Sequence, residues 1–136
     1  MSGSYSIVYV EDDPGSQKVM RGLVETLGFS IDLHIFEDSS HFIPRVEALD
    51  PEPDLFLLDI HVSPLNGFDM LQALRRHDDF QGKMIVALTA SVMNEEVKQL
   101  KEAGFDGILA KPLKFQDFPR HIQRILDGEN LWAIKR

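Results

Sequence analysis

Four short apolar runs of this 136-residue sequence end on polar residues that could do chemistry. These residues are Glu11, Asp12 and Asp13 after the first run, Asp59 after the second, Thr89 at the end of the third and Lys111 after the last. Clustered carboxylates repel one another, and a hard divalent cation such as Mg²⁺ relieves that repulsion. An aspartate can also act as a nucleophile that forms an acyl phosphate. The set indicates phosphoryl transfer, in which Mg²⁺, an ammonium group and a hydroxyl surround the phosphoryl oxygens.

These residues can act together only if the fold brings the ends of the runs to one place. Apolar runs of strand type alternate with stretches whose apolar residues recur at helical spacing. The predicted strands are 5–10, 31–36, 55–58, 83–89 and 108–110, and the predicted helices start at 16, 38 or 39, 68, 92 and 115 and end near 27, 49, 77, 103 and 126. This alternation predicts a doubly wound α/β fold, a five-stranded parallel sheet with helices on both faces. Such sheets bind ligands outside the carboxyl ends of their strands, where the polar residues would converge.

The composition excludes several other classes of protein. The sequence has 22 acidic and 14 basic residues and a formal net charge of −8, which argues against direct binding of nucleic acid or of an anionic membrane surface. Cysteine is absent, so disulfides and thiolate metal sites are excluded. We find no secretory signal and no apolar run near the roughly 18 residues that span a membrane. The sequence therefore predicts an acidic, cytoplasmic domain.

Five motifs, in their order and spacing, resemble the receiver domain of two-component response regulators. They are I-V-Y-V-E-D-D-P at 7–14, D-L-F-L-L-D at 54–59, N-G at 66–67, A-L-T-A at 87–90 and A-G-F-D-G-I-L-A-K-P-L at 103–113. The resemblance extends from about Ser6 to Leu126. It implies a flavodoxin-like fold with the strand order 2-1-3-4-5. It also implies a receiver domain over 1–128, followed by a C-terminal tail over 129–136 with no output domain.

The same resemblance implies a role for each polar residue at the strand ends. Asp59 would be the phospho-acceptor. The Mg²⁺ ligands would be Asp59, Asp12 directly, Glu11 through a water, and the backbone carbonyl of His61. Thr89 and Lys111 would stabilise the phosphoryl group, with Thr89 acting as the switch hydroxyl. The peptide bond between Lys111 and Pro112 would be cis.

Two positions depart from the pattern that the family usually shows. Where a proline commonly stands four residues after the acceptor, this sequence has Ser63, and Pro64 follows one position later. Where an aromatic switch residue commonly stands three residues before the lysine, this sequence has Ile108. We therefore expect a different path for the loop after Asp59 and a different coupling between Thr89 and the fourth helix.

The resemblance implies a phosphoryl-accepting response regulator rather than an enzyme, with self-catalysed phosphorylation and dephosphorylation at most. A sensor histidine kinase or a histidine phosphotransfer protein would donate the phosphoryl group, and an unidentified downstream protein would bind the switched surface. One alternative is a receiver-like interaction module that does not use phosphorylation. Another is an aspartate-nucleophile phosphatase, which needs a second acid two residues after the nucleophile, where this sequence has His61.

Overall fold

The computed structural model describes residues 4–133 and shows a parallel sheet flanked by helices. In chain order the elements are β1 (Tyr5–Val10), α1 (Pro14–Glu25), β2 (Ile31–Phe36), α2 (Phe42–Glu47), β3 (Leu55–Asp59), α3 (Gly67–Arg75), β4 (Met84–Thr89), α4 (Asn94–Ala103), β5 (Gly107–Ala110), α5 (Phe118–Leu126) and β6 (Trp132–Ala133). The sheet order is β2-β1-β3-β4-β5-β6, and every neighbouring pair is parallel. The predicted fold class and the order 2-1-3-4-5 are confirmed.

The strands are apolar along their whole length because both faces of the sheet are covered. Alternate residues point to opposite faces, so Val8 and Phe56 enter one core while Ile7 and Leu57 enter the other. The first core lies against α2, α3 and α4, and the second lies against α1 and α5. This double cover fixes the register of the central strands and holds their carboxyl ends at one edge.

Three helix starts differ from the predicted positions, two of them because of side-chain caps. Helix α1 begins at Pro14 rather than at residue 16, because the Asp13 carboxylate accepts a hydrogen bond from the Ser16 amide at 2.8 Å and proline suits the first turn. Helix α3 begins one residue earlier than predicted, since Asn66 and Asp69 form a reciprocal capping box. Helix α5 begins at Phe118, three residues later than predicted.

The prediction for α2 is wrong at its start. Neither Asp38 nor Ser39 caps a helix, because the Ser39 hydroxyl donates to the Leu65 carbonyl at 2.6 Å and accepts from the Leu65 amide at 2.7 Å. The helix starts only after His41, which has a left-handed φ of 50°, and its last residue is Glu47. Helix α4 also starts two residues later than predicted, while Gly104 ends it as expected.

Residues 129–136, expected to be a tail, contain the two-residue strand β6 beside β5. The sequence predicts no element there, since two residues show no periodicity. The ends of the predicted 1–128 domain and of the tail, residues 1–3 and 134–136, lie outside the described residues. Within residues 4–133, no helix has the length and apolar character needed to cross a membrane.

Candidate functional site

Three carboxylates meet at the carboxyl edge of the sheet. Glu11 and Asp12 directly follow β1, and Asp59 ends the neighbouring strand β3. One oxygen from each of the three side chains lies within 4.8 Å of the others. Glu11 and Asp59 are only 1% and 5% exposed, whereas Asp12 is exposed to solvent. The structure thus brings together the three acids that the sequence resemblance implies as metal ligands.

Lys111 reaches the same acids from the end of β5. Its Nζ atom lies 2.9 Å from Glu11 Oε1 and 2.8 Å from Asp59 Oδ2. Its backbone amide donates to the Thr89 carbonyl at 2.9 Å, which ties the end of β5 to the end of β4. The Lys111–Pro112 peptide is cis, as the resemblance implies. One ammonium group therefore bridges two buried carboxylates.

The pKa values of the three partners shift in different directions. Burial raises the pKa of Glu11, and the nearby Asp59 charge adds to that rise although Lys111 opposes it. Burial also acts to raise the pKa of Asp59, but hydrogen bonds from Lys111 and from the His61 amide outweigh it and hold this pKa below its ordinary value. Burial acts to lower the pKa of Lys111, but its two carboxylate partners hold it above the ordinary value. Asp59 is therefore ionised and Lys111 is charged at neutral pH.

Two residues that the sequence analysis did not assign hold Glu11 in place. The Tyr9 hydroxyl donates to Glu11 Oε1 at 3.3 Å, and the Gln17 side-chain amide donates to the Glu11 carbonyl at 2.7 Å. Burial, followed by the Glu11 charge, raises the pKa of Tyr9, so the phenol stays a donor at neutral pH. The sequence signal that could have pointed to Gln17 is its position three residues before Met20, which puts it on the face that α1 buries.

Thr89 and His61 line a cleft next to the carboxylates. Thr89 is buried at the end of β4, and its hydroxyl accepts from the Ser91 amide at 3.1 Å. The His61 amide donates to Asp59 Oδ1 at 2.8 Å, while its side chain is exposed. The cleft has a volume of about 250 Å³ and is lined by Ile60, His61, Phe68, Thr89, Ser91, Glu96, Gln99 and Leu100. Within residues 4–133, the Thr89 hydroxyl is hydrogen-bonded to Ser91 and not to Asp59.

The two unusual positions have clear places in the fold. Ile108 is fully buried in β5, where its neighbours across the sheet are Ala87 in β4 and Trp132 in β6. Ser63 belongs to the loop that follows β3, and its carbonyl accepts from the Ser39 amide at 3.2 Å. The loop that carries Pro64 is therefore tied to the segment before α2.

The donor set fits a hard divalent cation. Mg²⁺ binds oxygen ligands, commonly one or two carboxylates with water and phosphoryl oxygens. Here three carboxylates converge, and Lys111 offsets only one of their negative charges. A divalent cation would neutralise the remaining two.

A family model and curated relatives match most of this chain. The family model described as response regulator receiver domain matches residues 7–123. The chain is 30% identical over 119 residues to hybrid signal transduction histidine kinase G of Dictyostelium discoideum. The matched stretch is 87% of this chain and 3% of that protein. It is 27% identical over 124 residues to the polar-differentiation response regulator DivK of Brucella anthropi. The matched stretch is 88% of this chain and 92% of that protein.

Solved structures show the same architecture. One of them is the crystal structure of the receiver domain of a sensor histidine kinase from Pseudomonas aeruginosa, with a TM-score of 0.78 and 26% sequence identity. The superposition covers 92% of this chain and 99% of the other. That structure has a magnesium ion coordinated in its active site cleft. The chemotaxis protein CheY4 of Vibrio cholerae, at 18% identity and a TM-score of 0.77, shares the fold.

Proposed function

This chain belongs to the family of response regulator receiver domains of two-component signalling, and from that membership we propose that Asp59 accepts a phosphoryl group from a phosphohistidine. The observation that carries the proposal is the buried Asp59 carboxylate, held 2.8 Å from Lys111 Nζ and within 4.8 Å of two further carboxylates. A buried aspartate at a strand end contributes nothing to the apolar core. Its lowered pKa keeps it in the ionised form that a nucleophile requires.

The proposed step is a displacement at phosphorus. An Asp59 carboxylate oxygen forms the new P–O bond while the P–N bond of the donor phosphohistidine breaks, and the imidazole nitrogen keeps the electron pair of that bond. Lys111 Nζ, already 2.8 Å from Asp59 Oδ2, is placed to contact a phosphoryl oxygen. Thr89 can supply a second hydrogen bond once its hydroxyl turns away from Ser91. Positioning and charge neutralisation are the main contributions that such a step needs.

The proposal assigns Mg²⁺ to the three acids. Asp12, Asp59 and the His61 backbone carbonyl would hold the ion, and Glu11 would bind through a water. When bound, Mg²⁺ neutralises charge on the transferring phosphoryl group. Glu11 keeps Lys111 at the site through its 2.9 Å contact, and Tyr9 and Gln17 keep Glu11 in place.

Partners and location belong to the same proposal. The donor is a sensor histidine kinase or a histidine phosphotransfer protein, and the signal passes to a downstream protein through a changed surface. The chain acts as a stoichiometric acceptor and does not turn over a separate substrate. Its net charge of −8 supports a protein partner over nucleic acid or an anionic membrane. A cytoplasmic location agrees with the absence of cysteine.

Phosphorylation of the full chain tests the proposed function. With acetyl phosphate and Mg²⁺, we expect the intact mass to increase by one phosphoryl group, and EDTA to prevent the increase. Hydroxylamine should remove the group, because it cleaves acyl phosphates and leaves phosphoserine intact. No increase in mass would favour the phosphorylation-independent interaction module. Continued release of phosphate from a small phosphoester would instead favour the phosphatase.

Mg²⁺ is expected to stabilise the folded chain. A ligand that binds only the folded state at 100 times its Kd raises the free energy of unfolding by about 2.7 kcal/mol. We expect the Asp12→Asn variant to lose most of this gain, because it removes a ligand at an exposed position that the core does not need. Thermal unfolding with and without MgCl2 measures the effect.

The matched control for this measurement is Asp13→Asn. Asp13 neighbours the site, but its carboxylate bonds to the backbone and hydroxyl of Ser16. The control should keep the full Mg²⁺ gain, whatever its effect on stability without metal. An equal loss in both variants would mean that the acids act through net charge and not as ligands.

A further inference from the structure

The segment Leu131–Ala133, which we call the strap, closes the edge of the sheet at β5. The strap runs parallel to β5, and the Ile108 amide donates to the Leu131 carbonyl at 2.9 Å. Leu131 is buried in the second core with residues of α5. Trp132 packs against the first core, and Lys101 Nζ of α4 lies 4.9 Å from the centre of its ring. The strap therefore has one anchor on each face of the sheet.

The β5 edge is shaped for this close approach. A methyl group added to Gly107 would lie 2.3 Å from the Leu131 carbonyl oxygen, and its next nearest neighbours would also be backbone atoms of Leu131. No Cβ atom tolerates such a distance, so any other residue at position 107 would push the strap away. The strap can pair with β5 because residue 107 is glycine.

The strap and the phospho-acceptor site share the short strand β5. Ile108 in this four-residue strand holds the strap, and Lys111, directly after the strand, holds Asp59 and Glu11. A phosphoryl group on Asp59 brings about −1.5 to −2 units of charge and three acceptor oxygens to the place where Lys111 Nζ now bonds. Lys111 Nζ then bonds a phosphoryl oxygen in place of a carboxylate oxygen, and because Lys111 directly follows β5, this change of partner acts on the end of that strand. Two strands pair with β5: β4 with six residues and β6, which belongs to the strap, with two. The shorter pairing should separate first.

We propose that the strap is a displaceable cover of the β5 edge, and that phosphorylation of Asp59 weakens its docking. Release would expose the Ile108 amide and the apolar surfaces that Leu131 and Trp132 cover. The trigger, phosphorylation of Asp59, rests on the proposed function, whereas the close fit of the strap to Gly107 does not. The two parts can therefore be tested separately.

Trp132 makes the strap directly observable, because it is the single tryptophan of the sequence. On phosphorylation with acetyl phosphate and Mg²⁺, its emission should shift to longer wavelength and acrylamide should quench it more strongly. Gly107→Ala should show the same shift without phosphorylation. Gly82→Ala is the matched control, since a methyl group there meets nothing within 4 Å, and it should behave like the wild type.

Two further measurements keep the test decisive if Gly107→Ala misfolds. Leu131→Asp acts on the strap from its own side and should give the same emission shift in a chain whose circular dichroism stays native. In the wild-type chain, the Ile108 amide should exchange with deuterium on the order of tenfold faster after phosphorylation, while the Leu58 amide in β3 should not change.

Each outcome separates the strap from the proposed function. The intact mass of the same samples reports phosphorylation. An absent mass increase overturns the proposed function and the trigger, while the emission of Gly107→Ala still judges the docking. A mass increase with no change at Trp132 or at the Ile108 amide overturns the coupling alone. Native emission in folded Gly107→Ala and Leu131→Asp chains overturns the strap itself.

Discussion

We expect the Asp59→Asn variant to take up no phosphoryl group from acetyl phosphate and Mg²⁺, a loss of the whole signal rather than a reduction. The amide has nearly the same size as the carboxylate but carries no anionic oxygen that can attack phosphorus. Intact mass spectrometry measures the loss, under conditions in which the wild-type chain is fully modified. Lys111 would still pair with Glu11 at 2.9 Å in this variant, so the ammonium group keeps a partner and the fold should persist.

Two controls make this result specific to the acceptor. Asp13→Asn removes a neighbouring acid whose carboxylate bonds to Ser16, and it should be modified as fully as the wild type. Urea unfolding of Asp59→Asn should show one cooperative transition, which excludes loss of structure as the cause. A phosphoryl group found on Asp59→Asn would place the acceptor elsewhere, and peptide mapping would then identify the residue that carries it.

The strands could be predicted because burial on both faces leaves a continuous apolar run in the sequence. Such runs end abruptly at the sheet edge, so the sequence alone indicates Asp59, directly after Leu55–Leu58, as a site residue. The α/β alternation then placed Lys111 at the same edge although it lies 52 residues away. Short-range patterns were sufficient here because the topology of parallel sheets brings all strand ends together.

The features that were not predicted depend on contacts between distant segments. Ser39 looks like a helix cap in the sequence, but in the structure its hydroxyl bonds to Leu65, 26 residues away. Tyr9 reads as a core aromatic, and only the fold shows its hydroxyl on Glu11. The strap has two paired residues and no periodicity, and it exists because Gly107 leaves room for a backbone oxygen. Secondary-structure propensities and the spacing of apolar residues do not report such contacts between distant segments.

The Lys111→Met variant is expected to lose about 3–5 kcal/mol of unfolding free energy at pH 7 without metal, because removing one partner leaves buried charges without compensation. Its two carboxylate partners are 1% and 8% exposed in their side chains, and they would then face each other without a cation. Methionine is an unbranched side chain that matches the apolar stem of lysine without its ammonium group, so the loss reports charge more than packing. Urea unfolding measures it, and Lys114→Met, at an exposed position nearby, should change little.

The pH dependence of this loss follows from the shifted pKa values. The pKa of Glu11 is raised in the folded chain, so the folded state binds a proton more tightly than the unfolded state does. Lys111 lowers this pKa, so its loss raises the pKa of Glu11 further, and lowering the pH from 7 toward the ordinary value of 4.5 stabilises Lys111→Met more than the wild type. The pKa of wild-type Asp59 is lowered, so its contribution is instead lost as the pH falls below its ordinary value of 3.8. The gap between Lys111→Met and wild type should thus narrow as the pH falls from 7 to 5, and a gap that stays constant would mean that Lys111 stabilises the fold by packing alone.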